Sequence, residues 1–258
     1  MWDDINARLK ADGYVVVDGI FEIDEIIKLR SFVFSGVKTW LQAFAKCETL
    51  SNVEASEIIN KALNEPEKLN DEAKHILAGH VPLNVRLNPK IVEFIENSKL
   101  PQLMRGILRS ESLCMHMPPM IRSVFPGNSH ARVPPHQDIA YNSHLSNFTT
   151  VWVPLVQIDE LCGGVAVYES ATREIQTSDL KKTNSVWLES IDVSGTPTHC
   201  TFDLGGVLLI DPKLVHCSRP NDSERVRLSM DLRFFGDGDS SEKSLYNFNL
   251  QKIFHKER

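Results

Sequence analysis

Residues 226–235 read VRLSMDLRFF, and this stretch decides the fold more than any other part of the chain. Polar residues alternate with apolar ones, so that Arg227, Ser229, Asp231 and Arg233 fall on one side and Leu228, Met230, Leu232 and Phe234 on the other. Successive side chains of a β-strand point to opposite faces, so the pattern predicts a strand with one polar and one apolar face. The polar face could lie exposed over a core or line a barrel that holds charged ligands, and the alternation favours neither.

The chain around this strand has two halves of different character. Residues 22–110 carry apolar residues at three-to-four spacing, which predicts helices, whereas short β-rich runs broken by Pro, Gly and Asn follow from residue 111. We therefore predict a single domain over residues 1–258, mixed α+β but mainly β. Its helical part (1–110) is expected to pack outside an antiparallel sandwich or barrel (111–258).

Two segments stand apart from this division. The run YVVVDG at residues 14–19 predicts one early strand before the helices. The stretch 171–201 is polar and weakly periodic, and it is either a lid over a site or a plain surface excursion.

The composition excludes several classes of protein. The chain has 42% hydrophobic and 24% charged residues with a net charge of -6, so no basic surface for nucleic acid or an anionic membrane is expected. No apolar run approaches the length of a membrane span or a signal peptide, which predicts a soluble, cytoplasmic protein. The five cysteines form no CxxC pair and are expected to be reduced. The oligomeric state is left open.

The stretch PPHQDIAY at residues 134–141 contains the first candidate ligands of a metal. His136 and Asp138 are two positions apart, and in an extended chain such residues point to the same side. A bare His-x-Asp pair is a weak signal, and a solvated loop is the better interpretation of it alone.

A second histidine changes this interpretation. His216 ends one predicted strand and Arg227 begins the next, in the run HCSRPNDSERVR. Two histidines and one carboxylate make the facial triad of non-haem Fe(II) oxygenases, which leaves coordination positions open. Zinc would favour a fourth strong ligand, which this spacing does not supply.

Four stretches carry a resemblance to a known family, and together they span most of the chain: ADGYVVVDGIFEIDEIIKLR (11–30), HQDIAY (136–141), TTVWVPLVQIDELCGGVAVYES (149–170) and HCSRPNDSERVRLSMDLRF (216–234). The chain resembles the phytanoyl-CoA dioxygenase-like (PhyH-type) oxygenases, which depend on Fe(II) and 2-oxoglutarate. The resemblance implies a double-stranded β-helix (a cupin-like jelly-roll), with Fe(II) held by His136, Asp138 and His216.

The resemblance also implies roles around the metal. Arg227 would bind the distal carboxylate of 2-oxoglutarate, since a fixed guanidinium suits a planar carboxylate, and Ser218 would add a hydrogen bond. The other positions matched to the co-substrate are Gln137, Trp152 and, less specifically, Arg122. Contacts to substrate are expected from Tyr141, Asn142, His144 and Arg233. His130 and His199 have no spaced partner and are expected at the surface, and Asp231 and Arg233 could simply pair with each other.

The activity implied by the resemblance is oxidation of a small molecule with O2. 2-Oxoglutarate would be converted to succinate and CO2, and a hydrogen atom would be abstracted from the substrate. The presence of Asp138 implies hydroxylation or a related outcome, since halogenating relatives lack this carboxylate. Arg122, Arg233 and His144 favour a polar or anionic metabolite of a biosynthetic pathway. Two alternatives stay open: a non-catalytic binding barrel with a vestigial metal site, and a cupin-like metal-dependent hydrolase or isomerase.

Overall fold

The computed structural model describes residues 2–169, 171, 173–175, 191–236 and 241–256. Its helices precede the β-rich half, as the spacing of apolar residues predicts. Within the described residues they are α1 Trp2–Asp12, α2 Ile23–Ala45, α3 Asn52–Leu63, α4 Asp71–Leu77, α5 Leu83–Arg86, α6 Pro89–Glu96 and α7 Leu100–Leu108.

The strands form two antiparallel sheets. They are β1 Tyr14–Val17, β2 Cys114–His116, β3 Met120–Val124, β4 Phe148–Pro154, β5 Gly164–Val167, β6 Thr198–His199, β7 Val207–Ile210, β8 His216–Arg219, β9 Arg227–Phe235, β10 Leu245–Asn247 and β11 Lys252–Phe254. The larger sheet runs β1-β7-β4-β9-β2-β10-β11, with β3 also paired to β9, and the smaller sheet runs β6-β5-β8. The predicted antiparallel sandwich is therefore confirmed.

The alternating strand β9 lies in the middle of the larger sheet. Over most of its length it pairs with β4, from Phe148 opposite Phe235 to Pro154 opposite Ser229. On its other side it pairs first with β3 and then with β2. A strand bonded on both sides has its register fixed, so the polar and apolar faces cannot exchange.

The helices and the apolar face of β9 share one hydrophobic core. In α2 the buried residues Ile26, Leu29, Val33, Val37 and Leu41 recur every three or four positions, so one stripe of the helix faces the core. They belong to the same hydrophobic cluster as the apolar residues of β9, Leu228, Met230, Leu232 and Phe234. Since this face belongs to the core, the polar residues of β9 lie on the opposite face of the larger sheet.

Some elements were not predicted from the sequence. Helix α1 precedes the predicted strand YVVVDG, and its buried face is short, with only Ile5, Asn6 and Leu9. The hairpin of β10 and β11 also lacked a predicted strand, since its runs have three residues each. The expected lid or excursion at 171–201 lies partly outside the described residues. The five cysteines are all free, as expected.

Candidate active site

His136, Asp138 and His216 converge between the two sheets. One ligand atom from each lies within 4.8 Å of the others. Nε2 of His136 is 3.6 Å from Oδ1 of Asp138, and Nε2 of His216 is 4.0 Å from Oδ2 of the same carboxylate. All three residues are buried, and Asp138 has no exposed surface. Two imidazoles and one carboxylate at these separations can surround one metal ion.

Backbone pairing brings the two histidines together although they are far apart in the chain. His136 and His216 form an antiparallel bridge in which each amide donates to the other's carbonyl at 3.0 Å. His216 begins β8, and Asp138 begins a short 3-10 turn over Asp138–Tyr141. The turn brings the carboxylate round to face both imidazoles, which is why the two stretches of sequence act as one site.

The hydrogen bonds of the imidazoles favour metal binding. Nδ1 of His136 lies 2.9 Å from the carbonyl of Pro134, and Nδ1 of His216 lies 3.0 Å from that of Leu214. A carbonyl can only accept, so Nδ1 carries the proton and Nε2 keeps its lone pair for a metal. Burial, together with the charge of His136, lowers the pKa of His216 to about 4. Its imidazole is therefore neutral at pH 7, as a metal ligand must be.

Asp138 is fixed by partners from the larger sheet. Nη2 of Arg233 lies 2.8 Å from Oδ1, and the hydroxyl of Thr150 donates to Oδ2. The amide of Asn142 donates to the backbone carbonyl of Asp138 at 3.0 Å. Burial by itself raises the pKa of Asp138, but the charge of Arg233 outweighs it and holds that pKa well below its usual range. The carboxylate is therefore ionised.

A cavity of about 270 Å³ opens from the three ligands. Its lining comes from both sheets, including Val165 and Ser218 of the smaller and Trp152 and Ile210 of the larger. The polar residues of β9 all face it: Arg227, Ser229, Asp231 and Arg233. This settles the question that the alternation left open, because the polar face of β9 lines an interior and is not exposed to solvent.

Arg227 lies at one end of the row of polar residues on β9. It is 3% exposed, and its Nη1 donates to the carbonyls of Arg219 at 3.3 Å and Gly164 at 3.5 Å. Burial lowers its pKa to about 10, so the guanidinium stays charged at pH 7. Among the described residues, Nε of Arg227 and Oγ of Ser229 are buried and have no hydrogen-bond partner. Buried donors of this kind normally have one, which indicates that a ligand completes the site.

The other residues predicted at the co-substrate have different surroundings. Ser218, Trp152 and Arg122 all line the cavity. Nη2 of Arg122 donates to the carbonyls of Ala131 at 2.6 Å and Ala78 at 3.3 Å, which fixes the guanidinium. Gln137 does not line the cavity. Its amide donates to the carbonyls of Lys213 at 2.7 Å and Glu174 at 2.9 Å, so the geometry gives no support to a contact with 2-oxoglutarate.

Of the predicted substrate contacts, Tyr141, Asn142 and Arg233 line the cavity. Arg233 also pairs with Asp231, Nη1 to Oδ1 at 2.9 Å, so the expected pairing within β9 is present. His144 lies behind the lining, with its Nε2 3.4 Å from Nε2 of His116.

Of the two histidines expected at the surface, one is buried. His130 is exposed, but the side chain of His199 is only 7% exposed. Nε2 of His199 lies 2.6 Å from the carbonyl of Gly163, so the ring packs under the turn before β5. The surface assignment of His199 was wrong because an isolated histidine in the sequence does not reveal a partner that is distant in the chain.

Four residues of the site were missed by the sequence reasoning. Thr150 holds Asp138, and the cavity lining also includes Arg86, His116 and Lys243. His116 sits on β2, with no motif around it. The ammonium of Lys243 is held by Oδ1 of Asn142 at 2.7 Å and by the carbonyl of Tyr141 at 3.0 Å. None of the four has a local signal, because each reaches the site through the tertiary fold.

The buried triad and the charged cavity between two antiparallel sheets define a class: the non-haem iron oxygenases that use 2-oxoglutarate, with Fe(II) as cofactor and 2-oxoglutarate and O2 as co-substrates. The comparisons with known proteins agree. The family model for phytanoyl-CoA dioxygenase (PhyH) matches residues 9–229, and the chain belongs to this family. Comparison with curated protein sequences finds no match.

Solved structures of low sequence identity share the fold. A structure described as "non-heme monooxygenase; ThoJ apo" is 14% identical with a TM-score of 0.60, covering 93% of this chain and 80% of that one. The epimerase SnoN in complex with Fe3+, alpha ketoglutarate and nogalamycin RO is 14% identical with a TM-score of 0.57, covering 91% and 83%. The carbocyclase SnoK from nogalamycin biosynthesis is 14% identical with a TM-score of 0.56, covering 90% and 83%. The predicted cupin-like jelly-roll is therefore confirmed.

The length and polarity of a helix decide whether it can span a membrane. Within the described residues, every helix is too short or too polar to cross a lipid bilayer.

Proposed function

We propose that this enzyme oxidises a small-molecule metabolite, abstracting a hydrogen atom from carbon and most commonly replacing it with a hydroxyl group. His136, Asp138 and His216 would hold Fe(II), and Arg227 with Ser218 would hold 2-oxoglutarate. The observation that carries the proposal is the charged, incompletely bonded guanidinium of Arg227 in the same cavity as the three ligand side chains.

The donor set fits iron. In the neutral form of these imidazoles Nε2 keeps its lone pair, and the carboxylate is ionised, so the three residues can offer two nitrogens and one anionic oxygen. Such a facial set leaves positions open for a chelating co-substrate and O2. It also explains why Asp138 is tied to Arg233 and Thr150, since partners of this kind orient the ligands in metal sites.

The Arg227 end of the row of polar residues on β9 fits a carboxylate. Arg227 provides a charged donor that is fixed by two carbonyls and keeps an unsatisfied Nε–H. Ser218 and Ser229 both line the cavity, so two hydroxyls are also present in it. A buried guanidinium with neighbouring hydroxyls binds a carboxylate through charge-assisted hydrogen bonds.

When bound, Fe(II) with 2-oxoglutarate supplies the oxidising chemistry, in which O2 is reduced while the co-substrate is converted to succinate and CO2. The chain itself supplies position and a controlled environment. Arg227 fixes one end of the co-substrate, which limits how it can turn at the metal. Trp152, 5% exposed and packed edge-on to Phe202 at 5.7 Å, forms an apolar wall and reduces the access of water.

The size of the cavity supports a small substrate. Small-molecule sites commonly measure about 300–1,000 Å³, and this one lies just below that range although two reactants must share it. The similar structures include proteins described as a monooxygenase, an epimerase and a carbocyclase, and the last comes from nogalamycin biosynthesis. These names support a biosynthetic role and show why the fold by itself does not select the outcome of hydrogen abstraction.

A titration tests the proposal directly. Under anaerobic conditions, Fe(II) and 2-oxoglutarate should together produce a weak visible charge-transfer band that neither gives alone. Arg227→Gln should weaken 2-oxoglutarate binding roughly 100-fold, since removing one partner of a buried charge pair costs about 3 kcal/mol. Arg225→Gln is the matched control, because Arg225 is exposed and pairs with Asp159 outside the cavity.

Two results would count against the proposal. A protein that binds Fe(II) but never forms the band would support a metal-dependent hydrolase or isomerase. A protein that holds no stoichiometric metal at all would support a vestigial site. Formation of succinate from 2-oxoglutarate with O2, dependent on Arg227 and independent of Arg225, is the expected result.

A further inference from the structure

The lining of the cavity carries more positive charge than the iron and its co-substrate require. Among the described residues it includes the cations Arg86, Arg122, Arg227, Arg233 and Lys243, against the two carboxylates Asp138 and Asp231. Divalent iron and dianionic 2-oxoglutarate cancel each other, so the formal excess of positive charge stays when both are bound. Charges that are removed from water are usually paired, so the excess calls for an anionic substrate.

Most of these cations already have a partner or a function. Arg233 is shared by Asp138 and Asp231, at 2.8 and 2.9 Å. Arg227 is assigned to 2-oxoglutarate. Arg122 is also influenced by Arg227, because burial and then the charge of Arg227 lower the pKa of Arg122 to about 9. Arg227 is six residues from Arg233 along β9, which corresponds to roughly 20 Å of strand. Arg227 and Arg233 therefore lie at opposite ends of the row of polar residues on β9.

Lys243 lies at the Arg233 end. Its ammonium donates to Oδ1 of Asn142 at 2.7 Å and to the carbonyl of Tyr141 at 3.0 Å, both within the segment that follows Asp138. An ammonium has three donors, so one more is available. No carboxylate of the described residues forms an ion pair with Lys243, whose side chain lines the cavity. Among the described residues, only neutral groups fix the ammonium of Lys243, and it has one hydrogen left to donate.

The surroundings of Lys243 define what kind of anion would fit. His116 lies beside it, and burial together with the charge of Lys243 lowers the pKa of His116 to about 3, so this imidazole is neutral. It adds no charge, and its Nε2 lies 3.0 Å from Oγ of Ser241. The segment Met117–Met120, which includes Pro118 and Pro119, forms an apolar wall of the same cavity. A ligand there would contact one cation and a hydrophobic surface.

We propose that Lys243 binds an anionic group of the substrate, a carboxylate or a phosphate, and that the substrate is a small organic anion with an apolar body lying along Met117–Met120. The inference rests on the proposed function, since it concerns the second reactant in the same cavity. It makes Lys243 a specificity-determining residue, which selects the substrate and takes no part in bond breaking.

A structural role for Lys243 is the competing explanation. Its ammonium ties residues 241–243 to the turn that carries Asp138, and this alone could be its purpose. A structural role predicts that replacing Lys243 weakens every ligand equally or lowers stability. A role in anion recognition predicts a loss confined to ligands with a negative charge.

The test measures binding to protein loaded anaerobically with Fe(II) and 2-oxoglutarate, where formation of the charge-transfer band is checked first. The probes are hexanoate, hexyl phosphate and the neutral hexanamide, titrated by calorimetry. At least one anion should bind about tenfold or more tightly than hexanamide, as expected for one charge-assisted hydrogen bond. Lys243→Gln should abolish this preference and leave hexanamide unchanged, whereas Lys243→Arg should retain part of it.

The control variant is Lys252→Gln, on the exposed strand β11 and outside the cavity, and it should keep the preference. The inference is overturned if both anions bind no better than hexanamide, or if no probe binds at millimolar concentration. It is also overturned if the preference for anions survives in Lys243→Gln, which is the result expected when the anion binds to the iron itself. If the band never forms, the proposed function fails and this inference with it. A normal band without anion preference rejects the inference alone.

Discussion

Arg233 and Asp138 form an ion pair at the centre of the candidate iron site, with Nη2 of the guanidinium 2.8 Å from Oδ1 of the carboxylate. The same guanidinium reaches Asp231 at 2.9 Å, so one cation is shared by two carboxylates. In the chain without metal, Arg233 therefore supplies the positive charge that keeps two buried carboxylates stable close together. A divalent ion at the triad takes over part of that role.

When Arg233 is replaced, a bound metal ion should become the main source of positive charge beside Asp138, so stability should depend more strongly on metal. Arg233→Met should lower the free energy of unfolding of the metal-free protein by about 3–5 kcal/mol, the usual cost of breaking a buried ion pair. Addition of Mn2+ or Ni2+ should then stabilise the variant more than the wild type, because the ion meets uncompensated carboxylates. Thermal unfolding with and without metal measures both effects.

A double variant provides the control for this prediction. Arg233→Met combined with Asp231→Asn removes one charge of each sign, so part of the lost stability should return. A metal-induced stabilisation that is smaller in Arg233→Met than in the wild type would contradict the argument.

The hydroxyl of Thr150 should contribute to metal affinity through Asp138. Thr150→Val keeps the shape of the side chain but removes the hydrogen bond to Oδ2, and we expect metal binding to weaken about 10–100-fold, as found for outer partners of metal ligands. Thr149→Val is the matched control, since adjacent residues of a strand face opposite sides. Calorimetric titration with Mn2+ compares the two, and equal affinities would show that Thr150 does not act through Asp138.

His80 should make stability depend on pH. Burial, with the charges of Arg122 and Arg86, lowers its pKa from 6.5 to about 2. Below about pH 6.5 the unfolded chain binds a proton that the folded chain refuses, so stability falls as pH decreases, by about 1.4 kcal/mol for each pH unit. His80→Gln should reduce the total slope by about this amount between about pH 6 and pH 4 in urea unfolding measurements, while the part that comes from His116 and His216 should remain. An unchanged slope would mean that His80 protonates in the folded state.

Gly163 should resist replacement because of both its backbone and its surroundings. It adopts a φ of +80°, and a Cβ there would lie 2.3 Å from the carbonyl oxygen of Pro220. Gly127 is the matched control, with a φ of +67° and no other atom within 4 Å of the place that a Cβ would occupy. Gly163→Ala should cost about 1–3 kcal/mol more than Gly127→Ala, since strain is common to both but the clash is not.

The Gly163 variant should also affect the co-substrate. The neighbouring carbonyls of Gly164 and Arg219 hold Arg227, so a displaced turn should weaken 2-oxoglutarate binding. Denaturant unfolding and the charge-transfer titration measure the two effects separately. Equal costs for the two alanine variants would show that the turn adjusts without strain.

Sequence patterns predicted the strands well where polar and apolar residues alternate along the strand itself. The alternation in β9 identified the strand but not the surroundings of its polar face, because these depend on a second sheet built from residues distant in the chain. The pair His136 and Asp138 was recognisable by its spacing, and His216 by its place in the resemblance. In contrast, Thr150 and Lys243 reach the site by strand pairing and loop contacts, for which no local period exists.

Gln137 shows that membership of a motif and geometry can point to different roles. It lies between His136 and Asp138, so membership of the motif suggested that it contacts the co-substrate. The spacing itself argues otherwise, because if residues i and i+2 face one side of an extended segment, the residue between them faces the other. The structure agrees with this geometry, since the amide of Gln137 is bonded to the carbonyls of Lys213 and Glu174.

The arrangement of β9 has a consequence for how such an enzyme can evolve. Its polar positions recur every second residue and line the cavity, while the intervening positions belong to the core. Substituting one polar residue changes contacts within the cavity and leaves the core residues in place, so new substrate preferences are accessible by point mutation. Inserting or deleting one residue would turn the arginines into the core and the core residues into the active site at once. Diversity in this strand should therefore arise by exchange of side chains and almost never by change of length.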